Sequence, residues 1–559
     1  MKIFKLIIFL LFFFNGCFAQ SNSVNSGSYK NGMVSSADEY ASQVGIEILK
    51  KGGNAIDAAV AVGFTLVVTY PGAGNIGGGG FMLIHLKDGR NISIDYREKA
   101  PISAYKDMYL DSNGNVVEGL STVGHLAGGV PGSVAGLLYA LEKYGTMSRQ
   151  EVMQYAIDYA ENGFKIHKRL AENLNSQQTA FAKFPSTMEI FGGVFNEGHL
   201  LKQKDLANTL RRISEQGRDG FYKGETAEFI SEEMRLGYGI VTKTDLESYE
   251  AVERTPIKGS YNGYEIISMP PPSSGGICLL YLLNILENYD LKSFGYNSSA
   301  KANILTEAMR RVYADRSKYM GDPDFVSVPV DVLISKPYAK LRMDGFELNR
   351  SSNSKEIQPG DITKKESDQT TQYSIVDNEG NLVSTTTTLN DNFGSKLVIK
   401  GAGFFWNNEM DDFASKPGAP NMYGLVGSDA NAIAPQKRML SSMTPTIILK
   451  DNKPFMVVGS PGGGRIITSV LQTIINVIDF NMSINDAIDA PRFHHQWLPD
   501  EIQIEKDVFD KDMKDVLKTI GYTLKEIPEF GRVEGILFNA DGSFTGHSDR
   551  RGYGKAIGY

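Results

Sequence analysis

The segment Asp368-Gln369-Thr370-Thr371-Gln372-Tyr373-Ser374 sets a threonine at the junction of a polar stretch, Lys364 to Asp368, and a strand-like run, Thr370 to Val376. If the chain cuts itself at that junction, the threonine becomes a new N-terminus. Its hydroxyl is then a nucleophile, and its own α-amine is the base beside it. A free α-amine has an unperturbed pKa of about 7.7–8.0, so part of it is neutral near pH 7 and accepts a proton. A serine or threonine elsewhere in a chain needs a histidine neighbour for the same purpose.

Asp377-Asn378-Glu379-Gly380-Asn381 is a turn signal, with Gly380 available for positive φ. A three-residue loop, Asn378 to Gly380, pairs Asp377 with Asn381. That register sets Thr388 across from Thr370, so the return strand Ser384-Thr385-Thr386-Thr387-Thr388 supplies a second hydroxyl. A run of threonines is also what a plain strand favours.

Three glycine-rich loops are further candidates: Pro71 to Gly80, Pro270 to Gly276, and Gly459-Ser460-Pro461-Gly462-Gly463-Gly464-Arg465. None has a dinucleotide or P-loop pattern. The third links a strand to a helix. Its successive N–H groups can converge on an anion, which suits an oxyanion hole in acyl transfer. A tight, closely packed turn reads the same way. Arg97, in Asp95-Tyr96-Arg97-Glu98, can grip a carboxylate bidentately. Asn407 to Phe413 clusters acids and amides, and Ser441-Ser442 follows Arg438. Brought together, these residues would give a pocket with one cationic and one anionic end, suited to a zwitterionic amino-acid head group.

The elements that must hold these residues are legible in outline. Ser36 or Asp38 caps a helix through Tyr40 to Leu49, ended by Gly52-Gly53, and a small-residue helix follows from Ala55 to Val62. Phe81 to His85 and Asn91 to Tyr96 read as strands around Lys87-Asp88-Gly89. Helical patterns fill Gly132 to about Arg235 and Ala300 to Met320. Strand runs at Ile266 to Met269, Thr446 to Leu449 and Phe455 to Gly459 flank the loops, and a helix pattern spans Arg465 to Phe480. Interleaved helices and strands with hairpins predict a layered α/β (α+β) fold. The polar segment Ser351 to Asp368 is the best internal boundary, and Gln20 to Asn31 reads as loose.

The chain has 559 residues and a formal charge of −8, with no basic cluster, which argues against nucleic acid as a partner. Residues 1–19 read as a secretory signal peptide: basic Met1 to Lys5, apolar Leu6 to Phe14, and a small residue, Ala19, before the cut. Removing Lys2 and Lys5 leaves a charge of about −10. The expected location is periplasmic or secreted, with lipid attachment at Cys17 a lesser alternative. The other cysteine, Cys278, sits in an apolar run and reads as a buried structural thiol. His494 and His495 are adjacent, which points their rings apart, and no zinc spacing is present.

From about Gly32 to the C-terminus the chain resembles the γ-glutamyltranspeptidase family. The motifs that carry this are Thr370 to Ser374, Thr388-Leu389-Asn390, Asn407 to Phe413, Lys416-Pro417-Gly418, Leu440 to Pro445 and Gly459 to Gly463, in that order. The resemblance implies a self-cleaving proenzyme with the N-terminal-nucleophile αββα sandwich. It implies a cut between Gln369 and Thr370, giving a large subunit of residues 20–369 and a small one of 370–559 that stay together. Thr370 would be the nucleophile, Thr388 its hydrogen-bond partner, and Gly462 and Gly463 the oxyanion donors. Arg97, Ser441 and Ser442 would hold the substrate α-carboxylate, and Asn390, Glu409 and Asp412 its α-amino group. Tyr423 matches a lid-loop aromatic over the pocket. The implied reaction passes a γ-glutamyl group from glutathione or a related compound, through an ester on Thr370, to water, an amino acid or a dipeptide. It requires no metal or organic cofactor. The alternatives are a related acylase of cephalosporin or poly-γ-glutamyl type, and an inactive secreted binding protein.

Overall fold

The computed structural model describes residues 27–360, 371–416, 419–426 and 429–559. Two sheets face each other. The first has seven strands, among them Gly32–Ser36, Gly79–His85, Asn91–Asp95, Thr371–Asp377 and Leu382–Thr388. The second has six, including Tyr264–Ser268, Thr446–Lys450, Lys453–Gly459 and Glu534–Phe538.

Strand alternation builds the layers. Val34, Met82, Ile94, Ile375 and Val383 of the first sheet join one core with the helices of residues 39–236. Their neighbours Met33, Leu83, Val376 and Leu382 point the other way. They meet Ile267, Ile447, Val457 and Ile536 of the second sheet in a smaller core. The opposite faces of the second sheet, with Ile266, Ile448, Met456 and Val458, pack under Gly275–Leu286, Ser299–Tyr319 and Arg465–Ile478. The order is helix, sheet, sheet, helix.

Local chemistry agrees with these boundaries. Asp38 caps Glu39–Lys50, its Oδ1 accepting the Ala41 N–H at 3.3 Å. The small-residue helix runs on to Thr69, beyond the Val62 expected, and every residue of Ala55–Thr69 is buried. Asn54 and Asp57 close its start reciprocally, the Asn54 N–H donating to Asp57 Oδ2 at 2.8 Å.

Two expectations change. Tyr29 is not loose: it exchanges backbone hydrogen bonds of 3.1 and 2.7 Å with Phe544. Ser351 to Gly360, the described part of the expected boundary, is held to the rest of the molecule. The Ser351 N–H donates to the Ile520 carbonyl at 2.8 Å, and Trp497 Nε1 donates to the carbonyls of Ser354 at 2.8 Å and Ile357 at 2.9 Å. A polar composition marks solvated side chains, but these backbone groups find protein partners instead. Residues 1–19 lie outside the described residues. Among the described residues no helix is long and apolar enough to cross a membrane, and no three His, Cys, Asp or Glu side chains group to hold a metal. Cys278 is buried.

Candidate active site

The hairpin folds in the register its turn dictates. Leu382 pairs with Val376, and each step follows to Thr387 with Thr371. The Asp377 N–H donates to the Asn381 carbonyl at 3.2 Å, and Gly380 has φ of 95°. Thr388 is therefore the residue next in line toward position 370. Gln369 and Thr370 themselves, like Pro417 and Gly418, lie outside the described residues. Thr388 is buried and pairs with Gly79 on its other side. Its Oγ1 accepts the Asn390 N–H at 2.7 Å, which leaves the hydroxyl proton to be given elsewhere.

The glycine loop of residues 459–464 is brought to this hairpin by a close contact. A Cβ added at Gly459 would lie 2.3 Å from the Gln372 side chain, so a larger residue there would have to displace Gln372 for the second sheet to end against the strand Thr371–Asp377. Gln372 is clamped in turn, its Oε1 accepting Thr386 Oγ1 at 2.7 Å and its Nε2 donating to Ser384 Oγ at 2.9 Å. Beyond Gly459, Gly462 and Gly463 hold φ of 134° and 65°, and the helix Arg465–Ile478 begins. Among the described residues neither glycine N–H has an acceptor, so both are available to a developing oxyanion.

Arg97 is fully buried, and all five of its N–H groups are engaged. Nε donates to the Met439 carbonyl at 3.2 Å and Nη2 to the Leu440 carbonyl at 3.1 Å. Nη1 meets Glu98 Oε2 at 3.4 Å and also Glu409 Oε1, while Nη2 also donates to Asp412 Oδ2. Sequence reading expected separate cationic and anionic ends. The structure instead brings them into contact, because burial leaves opposite charges nothing else to pair with.

One guanidinium facing three carboxyl groups cannot balance all of them in ionised form. Burial pushes Glu98 up to about 7 against the pull of Arg97. Burial raises Glu409 well above the usual carboxylate range; Arg97 opposes this and Glu98 adds to it. Glu98 Oε1, Glu409 Oε2 and Asn390 Oδ1 are buried with no hydrogen-bond partner. The two glutamates thus hold proton in place of a second cation, and with Asn390 Oδ1 their oxygens can take the three donors of an ammonium that replaces it. Asn390 is held beside Glu409 by its Nδ2, which donates to the Asn408 carbonyl at 2.9 Å.

Ser441 and Ser442 continue the segment whose Met439 and Leu440 carbonyls bind Arg97. Ser441 Oγ accepts the Met443 N–H at 3.1 Å, and Ser442 Oγ accepts from Arg316 Nη2. With a lone pair so occupied, each hydroxyl keeps its proton to give. Tyr423 stands on a loop whose preceding residue, Met422, donates its N–H to Asp411 Oδ2 at 3.3 Å. The Tyr423 hydroxyl is buried without a partner. Burial first, then the charges of Asp391, Asp412, Asp411 and Glu409, raise its pKa well above that of a free phenol.

The site also includes residues whose roles sequence reading missed. Glu98 was visible beside Arg97, but nothing local said it would be buried. Arg316 lies at the end of a long helix and reaches Ser442 and Ser274 Oγ, the latter at 2.9 Å. Asn75 ties the first glycine loop to Thr388, its Nδ2 donating to that carbonyl at 2.7 Å. The position of Asn75 inside a glycine-rich loop was the available signal.

Residues 41–559 match the family model described as gamma-glutamyltranspeptidase. The chain belongs to the γ-glutamyltranspeptidase family. It is 50% identical over 526 residues to the glutathione hydrolase proenzyme of Escherichia coli strain K12, covering 93% of this chain and 90% of that one. The structure of Helicobacter pylori γ-glutamyltranspeptidase aligns with a TM-score of 0.58 and 49% identity, over 61% of this chain and 97% of that one. The cephalosporin acylase structure from Bacillus halodurans aligns with a TM-score of 0.86 and 26% identity, over 98% and 99%. This γ-glutamyltranspeptidase family member has the N-terminal-nucleophile hydrolase fold and is an enzyme of γ-glutamyl transfer and hydrolysis.

Proposed function

We infer that this enzyme cleaves itself between Gln369 and Thr370 and uses the new N-terminal threonine on γ-glutamyl amides such as glutathione. The mature protein is then a large subunit ending at Gln369 held to a small one of Thr370 to Tyr559. In the first step Thr370 Oγ attacks the γ-carbonyl and its α-amine takes the hydroxyl proton. Thr388 hydrogen-bonds the nucleophile. Gly462 and Gly463 donate to the oxyanion. The amide nitrogen takes a proton and leaves, and a γ-glutamyl ester remains on Thr370. Water, an amino acid or a dipeptide then takes the acyl group. Arg97 turns from its carboxylates toward the substrate α-carboxylate, with Ser441 and Ser442. Asp412, Glu409 and Asn390 receive the α-ammonium, and Tyr423 covers the pocket. The signal-like N-terminus supports action in the periplasm or outside the cell.

The observation that carries this reading is the surplus of buried carboxylate around Arg97. It favours a substrate with an ammonium group. The related acylase reading meets a difficulty there, because a glutaryl donor has the same length and amide but no α-amino group. The mismatch should cost about two or more orders of magnitude in kcat/KM. The test compares matched γ-glutamyl and glutaryl anilides on the unmutated enzyme and on Asp412→Asn. The substitution should narrow the gap by slowing the γ-glutamyl donor most. Equal rates on the unmutated enzyme would refute the specificity.

A further inference from the structure

A second cationic cleft lies beside the same loops, lined by Tyr70, His167, Arg169, Asn392, Arg532 and Tyr553 among others, and it shares no residue with the Arg97 cluster. The His167 ring stacks on Tyr553 at 4.3 Å between centroids, and its Nδ1 caps the helix Lys168–Ser176 by accepting the Leu170 N–H at 3.1 Å. That fixes the start of the helix, and Arg169 with it. Arg169 Nη1 donates to the Arg551 carbonyl, and Arg532 Nη1 donates to the Tyr70 hydroxyl at 2.5 Å.

Neither guanidinium has a carboxylate partner among the described residues. Asp549 attracts Arg169 from a distance but is held by Arg492 at 2.6 Å and Arg551 at 3.0 Å. Asp391 is held by Lys396 at 2.7 Å. Two half-buried arginines that repel each other, neither paired with a carboxylate of the described residues, make a site that gains from binding an anion. Burial, then the charge of Arg532, holds Arg169 below its ordinary pKa, in keeping with that repulsion.

Position decides which anion. The Arg532 N–H donates to Ser460 Oγ at 3.3 Å, and Gly531 lies so near the oxyanion loop that a Cβ on Gly462 would sit 3.4 Å from its Cα. On the other side, Asn392 follows Asn390, and the Phe393 N–H donates to the Gly72 carbonyl at 2.8 Å. The cleft therefore opens between the oxyanion loop and the loop leaving Thr388. With the acyl group at Arg97, what remains to be held is the amine side of the scissile bond. The cleft volume is only about 10 Å³, about what one water needs, so an anion held by the two arginines sits at its mouth and not inside it.

We propose that Arg169 and Arg532 form the subsite for the free carboxylate of the leaving peptide and, in the second step, of an amino-acid or dipeptide acceptor. This rests on the γ-glutamyl transfer reading. In that second step the acceptor nitrogen forms the new amide bond to the γ-carbonyl carbon, and the ester bond to Thr370 Oγ breaks. The proton lost by the amine passes through the Thr370 α-amine to Oγ.

The test uses the full-length, self-processed enzyme with γ-glutamyl-p-nitroanilide as donor, whose leaving group has no carboxylate. Glycylglycine and glycylglycine amide are compared as acceptors. Arg169→Gln and Arg532→Gln should each raise KM for glycylglycine about tenfold or more and change KM for the amide less than about twofold. An equal change for acid and amide, or none for either, overturns the proposal. Should Arg532→Gln fail to process, Arg169→Gln gives the same ratio with the Arg532–Tyr70 bond intact. If the unmutated enzyme releases no nitroaniline, the transfer reading itself falls, and the proposal with it.

Discussion

Glu98 and Glu409 share one nitrogen, Nη1 of Arg97, although the two glutamates stand more than three hundred residues apart in the chain. All three side chains are fully buried. The pair cannot be fully ionised around half a guanidinium without a further cation, a role open to the α-ammonium of the proposed γ-glutamyl donor. Proton occupancy of this pair and donor binding are therefore linked.

The first prediction concerns pH. Glu98 has its pKa raised from 4.5 to about 7, chiefly by burial. A raised acid binds its proton more tightly in the folded state. Its stabilising contribution is full below about pH 4.5 and is lost as pH rises through about 7. Donor binding moves the opposite way, because ionised Glu98 attracts the ammonium. KM for a γ-glutamyl donor should fall as pH rises from 5 to 8, while the melting temperature falls over the same interval. Glu98→Gln should flatten both profiles. A KM profile unchanged by that substitution would separate Glu98 from donor binding.

Self-cleavage is checked by N-terminal sequencing of the smaller fragment. It should read Thr-Thr-Gln-Tyr-Ser, from Thr370, and Thr370→Ala protein should remain a single chain. A different start, or a cut Thr370→Ala protein, would reassign the nucleophile.

Arg97→Ala removes the guanidinium hydrogen-bonded to Glu98, Glu409 and Asp412. Uncompensated buried charge of this kind costs about 3–5 kcal/mol, so the melting temperature should drop along with donor affinity. Arg97→Lys should recover little of either, because a lysine cannot serve five acceptors in a planar fork. Wild-type KM and stability in Arg97→Lys would contradict the bidentate geometry.

Gly462→Ala tests the proposed oxyanion role of the loop at residues 459–464. Its φ of 134° is one an alanine resists, so the loop N–H groups should turn from their aim. kcat should fall by about a hundredfold with KM for the donor little changed. A rise in KM alone would make the loop a binding element instead.

Much of the catalytic hairpin was legible in the sequence. Strand side chains alternate with period two, and a turn of known length then sets every cross-strand pair, so Asp377 to Asn381 alone fixes the register from Leu382 with Val376 through Thr387 with Thr371. The glycines of residues 459–464 were likewise readable, since a strand-to-helix turn with positive φ admits few other residues. The small residues of Ala55–Thr69 announced a helix buried between layers, though not its full length, because apolar residues continue past Val62 without a stop signal.

The charge arrangement was not legible. Whether Arg97 stands free or bound depends on which acids the folded chain carries to it, and Glu409 and Asp412 arrive from another part of the chain altogether. No local pattern encodes that encounter. The same holds for Arg169 and Arg532, each an ordinary surface-type residue in its own segment, which become an unneutralised pair only when the helix start at His167 and the segment beside Gly462 are folded together. Periodicity and turn chemistry act over a few residues, and so the sequence states them openly. Burial and Coulomb interactions act through space, and only the tertiary structure decides which charges must share it.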